Sequence, residues 1–221
     1  MIIKVCGMRD GENIRAVSEL GVDWIGMIFW EKSPRNVTMI PTNAGIIPDR
    51  AGLSPLTAHQ SLRRVGVFVD EMPQNIITRV VNFQLDLIQL HGRETPTLIR
   101  NLRRTIDPDI RKGLQVIKAI SVGCSDDIAA YKDYEDCVDY FLFDTKCPSV
   151  GGSGQQFDWS VLSAYDGERP FLLSGGISPD DAARVRAFQH PKCIGIDLNS
   201  RFESAPGIKD IQKLKTFLQQ L

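Results

Sequence analysis

Two residues of this sequence have the type and setting needed for proton transfer. Cys6 comes directly after the apolar run Ile2-Ile3-Lys4-Val5 and before Gly7, whose missing side chain lets a ligand approach closely. As a thiolate it would be a base, provided that its pKa, ordinarily about 8.5, falls toward neutrality. Lys4, two residues earlier on the same face of an extended segment, would supply part of that pull or pair with a core carboxylate. Asp144 ends the run Tyr140-Phe141-Leu142-Phe143, where desolvation would raise its pKa from about 3.9 and make it a protonated general acid near neutral pH. Both positions have plainer readings, since a cysteine at a strand end is commonly a small buried hydrophobe and such an aspartate commonly caps a helix or braces a loop. Set on opposite sides of one small substrate, the pair would be equipped for isomerisation.

Other residues suggest how a substrate would be held. Gly151-Gly152-Ser153-Gly154 and Ser174-Gly175-Gly176-Ile177 offer backbone amides that can surround a phosphate, and Asn199-Ser200 would complete the cup. Each cluster alone reads as a tight turn or flexible loop; their coincidence after neighbouring strands favours the phosphate. His91, in Gln89-Leu90-His91-Gly92, is assigned to support or to substrate hydrogen bonding, and Arg35, in Ser33-Pro34-Arg35, is suited to clamp a carboxylate with its planar fork unless it is simply solvated. With three histidines and no partners at ligand spacing, no metal site is expected.

Composition narrows the classes. The chain has 221 residues, 43% of them hydrophobic and 24% charged, with a formal net charge of −1. Basic and acidic residues balance and no lysine or arginine tract occurs, so a nucleic-acid partner is not expected and an anion must be held locally. No run of eighteen apolar residues and no leader-like N-terminus occur, which argues against membrane insertion and secretion. The five cysteines are scattered without CxxC spacing, which fits a reducing cytoplasm better than a disulfide framework or a zinc site.

The elements that must position these groups alternate. Strands are expected at Ile2 to Val5, Trp24 to Phe29, Val65 to Val69, Leu85 to Leu90, Gln115 to Ile120, Tyr140 to Phe143, Phe171 to Leu173 and Ile194 to Leu198. Helical spacing covers Asn13 to Leu20, Gln74 to Phe83, Pro96 to Arg104, Asp126 to Tyr131, Trp159 to Ala164, Pro179 to Phe188 and Ile208 to Leu218, with Ser178, Pro179, Asp180 and Asp181 supplying start signals. Near-continuous apolar strands such as Trp24 to Phe29 suit a parallel sheet covered on both faces. Eight such units favour a closed eightfold α/β (TIM) barrel over an open doubly wound sheet, and no linker or repeat divides it, so residues 1–221 are read as one domain. The proline-rich stretch from Met39 to Leu62 carries only a weak helical signal. In a barrel of this kind Cys6, His91, Asp144, Ser174 and Asn199 all fall at the carboxyl ends of strands, where the chemistry sits.

These segments, together with Gly21-Val22-Asp23-Trp24-Ile25-Gly26, Val65-Gly66-Val67-Phe68 and Phe143-Asp144-Thr145-Lys146, resemble the phosphoribosylanthranilate isomerase family along nearly the whole chain and in order. The resemblance implies a TIM barrel performing a cofactor-free and metal-free Amadori rearrangement of N-(5-phosphoribosyl)anthranilate in tryptophan biosynthesis. By match, Asp144 would be the general acid, Cys6 the general base and Arg35 the partner of the anthranilate carboxylate, with the glycine loops on the phosphate. The partner is then a small phosphorylated aminosugar, and the protein is expected to work as a monomer or weak homodimer. The sequence departs from the family at Arg201, where glycine is usual and a positive φ would strain arginine. Two other readings are a non-catalytic phosphosugar sensor, against which the presence of both Cys6 and Asp144 argues, and another phosphosugar isomerase, epimerase or aldolase, for which Lys4 and Lys118 are poor Schiff-base candidates and convergent histidines are missing.

Overall fold

In the computed structural model, which describes residues 1–38, 62–146 and 157–221, eight parallel strands close into a barrel in sequence order. They are β1 (Ile2–Val5), β2 (Trp24–Ile28), β3 (Arg63–Phe68), β4 (Leu87–Leu90), β5 (Gln115–Val122), β6 (Tyr140–Thr145), β7 (Phe171–Leu173) and β8 (Cys193–Leu198). Closure comes from β1 pairing with β8, which sets Lys4 beside Asp197 and Val5 beside Leu198. The helices are α1 (Gly11–Ser18), α2 (Pro73–Asn82), α3 (Pro96–Ile106), α4 (Ser125–Ile128), α5 (Ala182–Ala187) and α6 (Ile211–Gln219). The capping chemistry is local: Asp10, Thr95 and Asp210 accept from the amides of Asn13, Leu98 and Lys213, and Pro73 and Pro96 open α2 and α3.

The period of two along each strand sorts side chains between two cores. Trp24, Val65, Leu87, Ile117, Leu142 and Leu172 fill the barrel interior, while their neighbours Ile25, Ile88, Val116, Phe141, Phe171 and Ile196 pack outward in the larger cluster shared with the helices. By this alternation Lys4, Gln89 and Asp197 lie on the interior face, one layer below Cys6, His91, Asp144, Ser174 and Asn199.

Several expectations are corrected. Ile208 and Lys209 do not begin the last helix: they form a short strand β10 (Ile208–Lys209), antiparallel to β9 (Glu203–Ala205), and α6 starts at Ile211. Trp159–Ala164 is a 3-10 rather than an α-helix, and the segments after β5 and β7 combine short α and 3-10 turns. Arg201 is exposed in a 3-10 turn over Ser200–Phe202, and the described non-glycine residues with positive φ are Asp70 and Gln84, so the strain expected at Arg201 does not arise. Most of the Met39 to Leu62 stretch lies outside the described residues.

Lys118 does not face the barrel interior. It shares the outer face of β5 with Val116 and Ile120 and is buried against Glu94, at 3.0 Å. Its ammonium also donates to the carbonyls of Leu90 and Gly92, at 3.2 and 2.7 Å, while Glu94 accepts from the amides of Asp70 and Gly92. This pair fixes the turn that carries His91. Removing one partner strands the other's charge away from water, so Lys118→Met should cost about 3–5 kcal/mol. A shift of the urea midpoint smaller than a tenth of the wild-type value would contradict that.

Candidate active site

Strand geometry brings the candidate acid and base to one rim. Cys6 follows β1 and is 3% exposed; its amide donates to Leu198 O on the closing strand. Asp144, the fifth residue of β6, is separated from it around the barrel by β7 and β8. Beneath the thiol, the ammonium of Lys4 is completely buried and 2.9 Å from Asp197 Oδ1. Burial pushes the Cys6 thiol above its ordinary range, Lys4 and Lys209 pull it down, and Asp197 pushes it up again. The expected fall toward neutrality is therefore not found: desolvation outweighs the two ammonium groups. Burial also works to discharge Lys4, but Asp197 and Cys6 carry it above its usual value. Asp197 is in turn raised by burial, with Asp144 adding to that push, so the carboxyl of β8 senses both the thiol and the acid.

Asp144 sits among donors. Its Oδ1 accepts from the Thr145 amide at 2.9 Å and faces the Ser174 hydroxyl at 3.4 Å, and its Oδ2 lies 3.4 Å from His91 Nε2. On its other side the His91 ring has Nδ1 3.3 Å from the side-chain amide of Gln89, which fixes the ring's orientation between Gln89 and Asp144. His91 is thus placed to orient the acid. Gly175 has φ +90°, and a Cβ there would lie 2.3 Å from Thr145 Oγ1 and 3.2 Å from Asp144 Oδ1. Only glycine lets the turn after β7 approach the acid so closely. Gly176, at φ +67°, continues that turn. Gly152, Ser153 and Gly154 lie outside the described residues.

On the base's side, Gly7 has φ +78°, and a Cβ on it would fall 2.6 Å from Asn199 Oδ1 and 2.7 Å from Arg35 Cδ. Arg35 lies in this crowded corner, but its fork is already engaged: Nε and Nη2 donate to Glu203, the latter at 2.7 Å. Asn199, expected on the phosphate, accepts from Lys209 Nζ at 2.8 Å, and Ser200 opens the 3-10 turn that follows it. Arg35 and Lys209 hold the Glu203 carboxyl below the usual carboxylate range against the opposing effect of burial. Sequence reasoning missed Asp197, which meets Lys4 only when β8 pairs with β1, and Glu203 and Lys209, which become conspicuous only once the hairpin β9–β10 folds back on the rim. A glutamate before the stretch expected as the last helix and a lysine six residues later inside it give no signal of their own.

Among the described residues no three His, Cys, Asp or Glu side chains converge as a metal site, and no helix is long and apolar enough to cross a membrane. The arrangement offers a proton donor, a potential base, paired cations near Gly7 and glycine turns near the acid.

Comparison with known proteins agrees with this architecture. A protein from Parabacteroides distasonis named N-(5'-phosphoribosyl)anthranilate isomerase is 47% identical, covering 100% of this chain and 93% of that one. The crystal structure of phosphoribosyl anthranilate isomerase from Thermotoga maritima superposes with a TM-score of 0.79 at 33% identity, covering 100% of this chain and 98% of that chain. A further crystal structure of phosphoribosyl anthranilate isomerase, in complex with reduced 1-(o-carboxyphenylamino)-1-deoxyribulose 5-phosphate, gives a TM-score of 0.76 at 31% identity with the same coverage. The family profile described as N-(5'phosphoribosyl)anthranilate (PRA) isomerase matches residues 3–220, and the chain belongs to that family.

Proposed function

We propose that this protein converts N-(5'-phosphoribosyl)anthranilate to 1-(o-carboxyphenylamino)-1-deoxyribulose 5-phosphate in tryptophan biosynthesis, with Asp144 as general acid and Cys6 as general base. The observation that carries the reading is the placement of both groups on one rim, Cys6 after β1 and Asp144 on β6, with the buried Lys4–Asp197 pair beneath the thiol. The relative crystallised with a reduced form of that product supplies the substrate class.

In the proposed reaction Asp144 gives its proton to the furanose ring oxygen. The bond from that oxygen to the first sugar carbon breaks, and the anthranilate nitrogen supplies the electron pair that forms a Schiff base. Cys6 then takes the proton from the second carbon, and the resulting enolamine tautomerises to the ketone. No atoms are gained or lost. The reactive form needs the proton on Asp144 and the charge on sulfur, whereas burial in the free protein favours a protonated thiol. Lys4 and Lys209, the cations that lower the thiol's pKa, make the ionised sulfur accessible. The turn at Ser174, Gly175 and Gly176, with residues 152–154 and Asn199–Ser200, is assigned to the phosphate, and Arg35 to the anthranilate carboxylate. We assign the reaction to the cytoplasm and to a single barrel domain without cofactor.

Freshly generated phosphoribosylanthranilate should lose its fluorescence when the purified protein is added, and persistence of the signal would reject the reading. Cys6→Ser and Asp144→Asn should each lower kcat by about 10²–10⁴-fold while inorganic phosphate still binds. A variant that loses only binding would make its residue structural. Alkylation of Cys6, followed by mass spectrometry of its peptide, should be slow at neutral pH and rise on the alkaline side. Asp197→Asn removes the carboxylate that opposes the thiolate and should move that rise to lower pH; an unmoved profile would exclude the coupling.

A further inference from the structure

The hairpin after β8 holds a buried carboxylate, Glu203, to which the reaction above gives no role. Glu203 on β9 is ionised, and its side chain is 5% exposed. Its Oε1 accepts from Arg35 Nε at 2.9 Å, Lys209 Nζ at 2.6 Å and the Gly207 amide at 3.2 Å. Its Oε2 accepts from Arg35 Nε at 3.1 Å and Nη2 at 2.7 Å. A carboxylate so saturated and so shielded from water does not leave when an anion arrives, because departure would strand two buried cations. Lys209 is itself immovable: its ammonium is fully buried and bonded to Asn199, and its backbone exchanges hydrogen bonds with the Asn13 side chain of α1 in both directions, at 2.7 and 2.9 Å. Arg9 Nη1 donates to Pro34 O at 2.9 Å and steadies the loop that carries Arg35. Two cations against one anion leave this corner with one net positive charge beside Cys6 and Gly7.

We propose that Glu203 is a positioning residue for the carboxylate end of the substrate: gripping the Nε–Nη2 edge of Arg35, it leaves Nη1, which has no hydrogen-bond partner among the described residues, to meet the incoming anion. This rests on the assignment of Arg35 to the anthranilate carboxylate. In this arrangement Arg35 is preorganised by the protein's own carboxylate, so the substrate does not pay to order a long, rotamer-rich side chain. The hairpin β9–β10 exists to deliver that carboxylate, and Lys209 neutralises the charge so that the corner stays attractive to an anion.

A double-mutant cycle tests this with free anthranilate as a fluorescent probe of one end and inorganic phosphate as a probe of the other. Glu203→Gln should weaken anthranilate binding about tenfold and raise KM with kcat nearly kept, leaving phosphate affinity unchanged. In an Arg35→Lys background the same substitution should change anthranilate affinity by less than about twofold, because its effect passes through the guanidinium. Equal losses in both backgrounds, or no loss in the first, would overturn the proposal. If Glu203→Gln does not fold, Glu203→Asp, which withdraws the carboxylate by one methylene, takes its place in the cycle with the same expectations. A wild-type protein that isomerises the substrate while the cycle is additive would remove the positioning role and keep the enzyme. One that is inactive while the cycle is coupled would remove the enzyme and keep the positioning role.

Discussion

The pairing of β1 with β8 is the constraint on which the site depends. It joins the first and last strands of the barrel and brings Lys4 within 2.9 Å of Asp197, a contact between residues 193 apart in sequence. Without closure the sheet would have two open edges and Lys4 would have no counter-charge in the interior. With it, the thiol of the next inward position stands over a buried ion pair rather than over hydrocarbon. The electrostatics of the base are therefore a property of the closed sheet and not of the Lys4-Val5-Cys6-Gly7 segment alone.

The charges form two tiers with different work. Below the rim, Lys4 and Asp197 face each other and act electrostatically on the thiol and the acid. Above it, Arg35, Glu203 and Lys209 form a second cluster around Gly7, tied to α1 through Asn13 and to β8 through Asn199. The Lys118–Glu94 pair is built from the same residue types, yet it lies on the outer face of the wall and holds a turn in place. Which of these pairs bears on chemistry is decided by the side of the strand that each lysine occupies.

Much of this architecture was legible from residue order. Phe171–Leu173 and Ile2–Val5 match their expected bounds, because a short β-branched or aromatic run between polar turns has few other ways to hide its side chains. Cys6, His91, Asp144, Ser174 and Asn199 could be set at strand ends by period alone. The hairpin β9–β10 escaped because Ile208 and Lys209 continue the apolar spacing of α6, and only the ladder with Glu203–Ala205 makes them extended. The side taken by Lys118, named only as a poor Schiff-base candidate, was open for the same kind of reason, since a lysine in an apolar strand does not say which core it enters.

The order of residues thus determined the alternation of strands and helices, the barrel they build and the family to which the chain belongs, since hydrophobic period and turn chemistry act over neighbouring positions. Tertiary structure alone decided the burial and charged surroundings of the thiol, the engagement of Arg35 by Glu203 and the burial of Lys209. Burial and Coulomb interactions depend on distance in space, and groups nearly two hundred residues apart meet only when the sheet has closed.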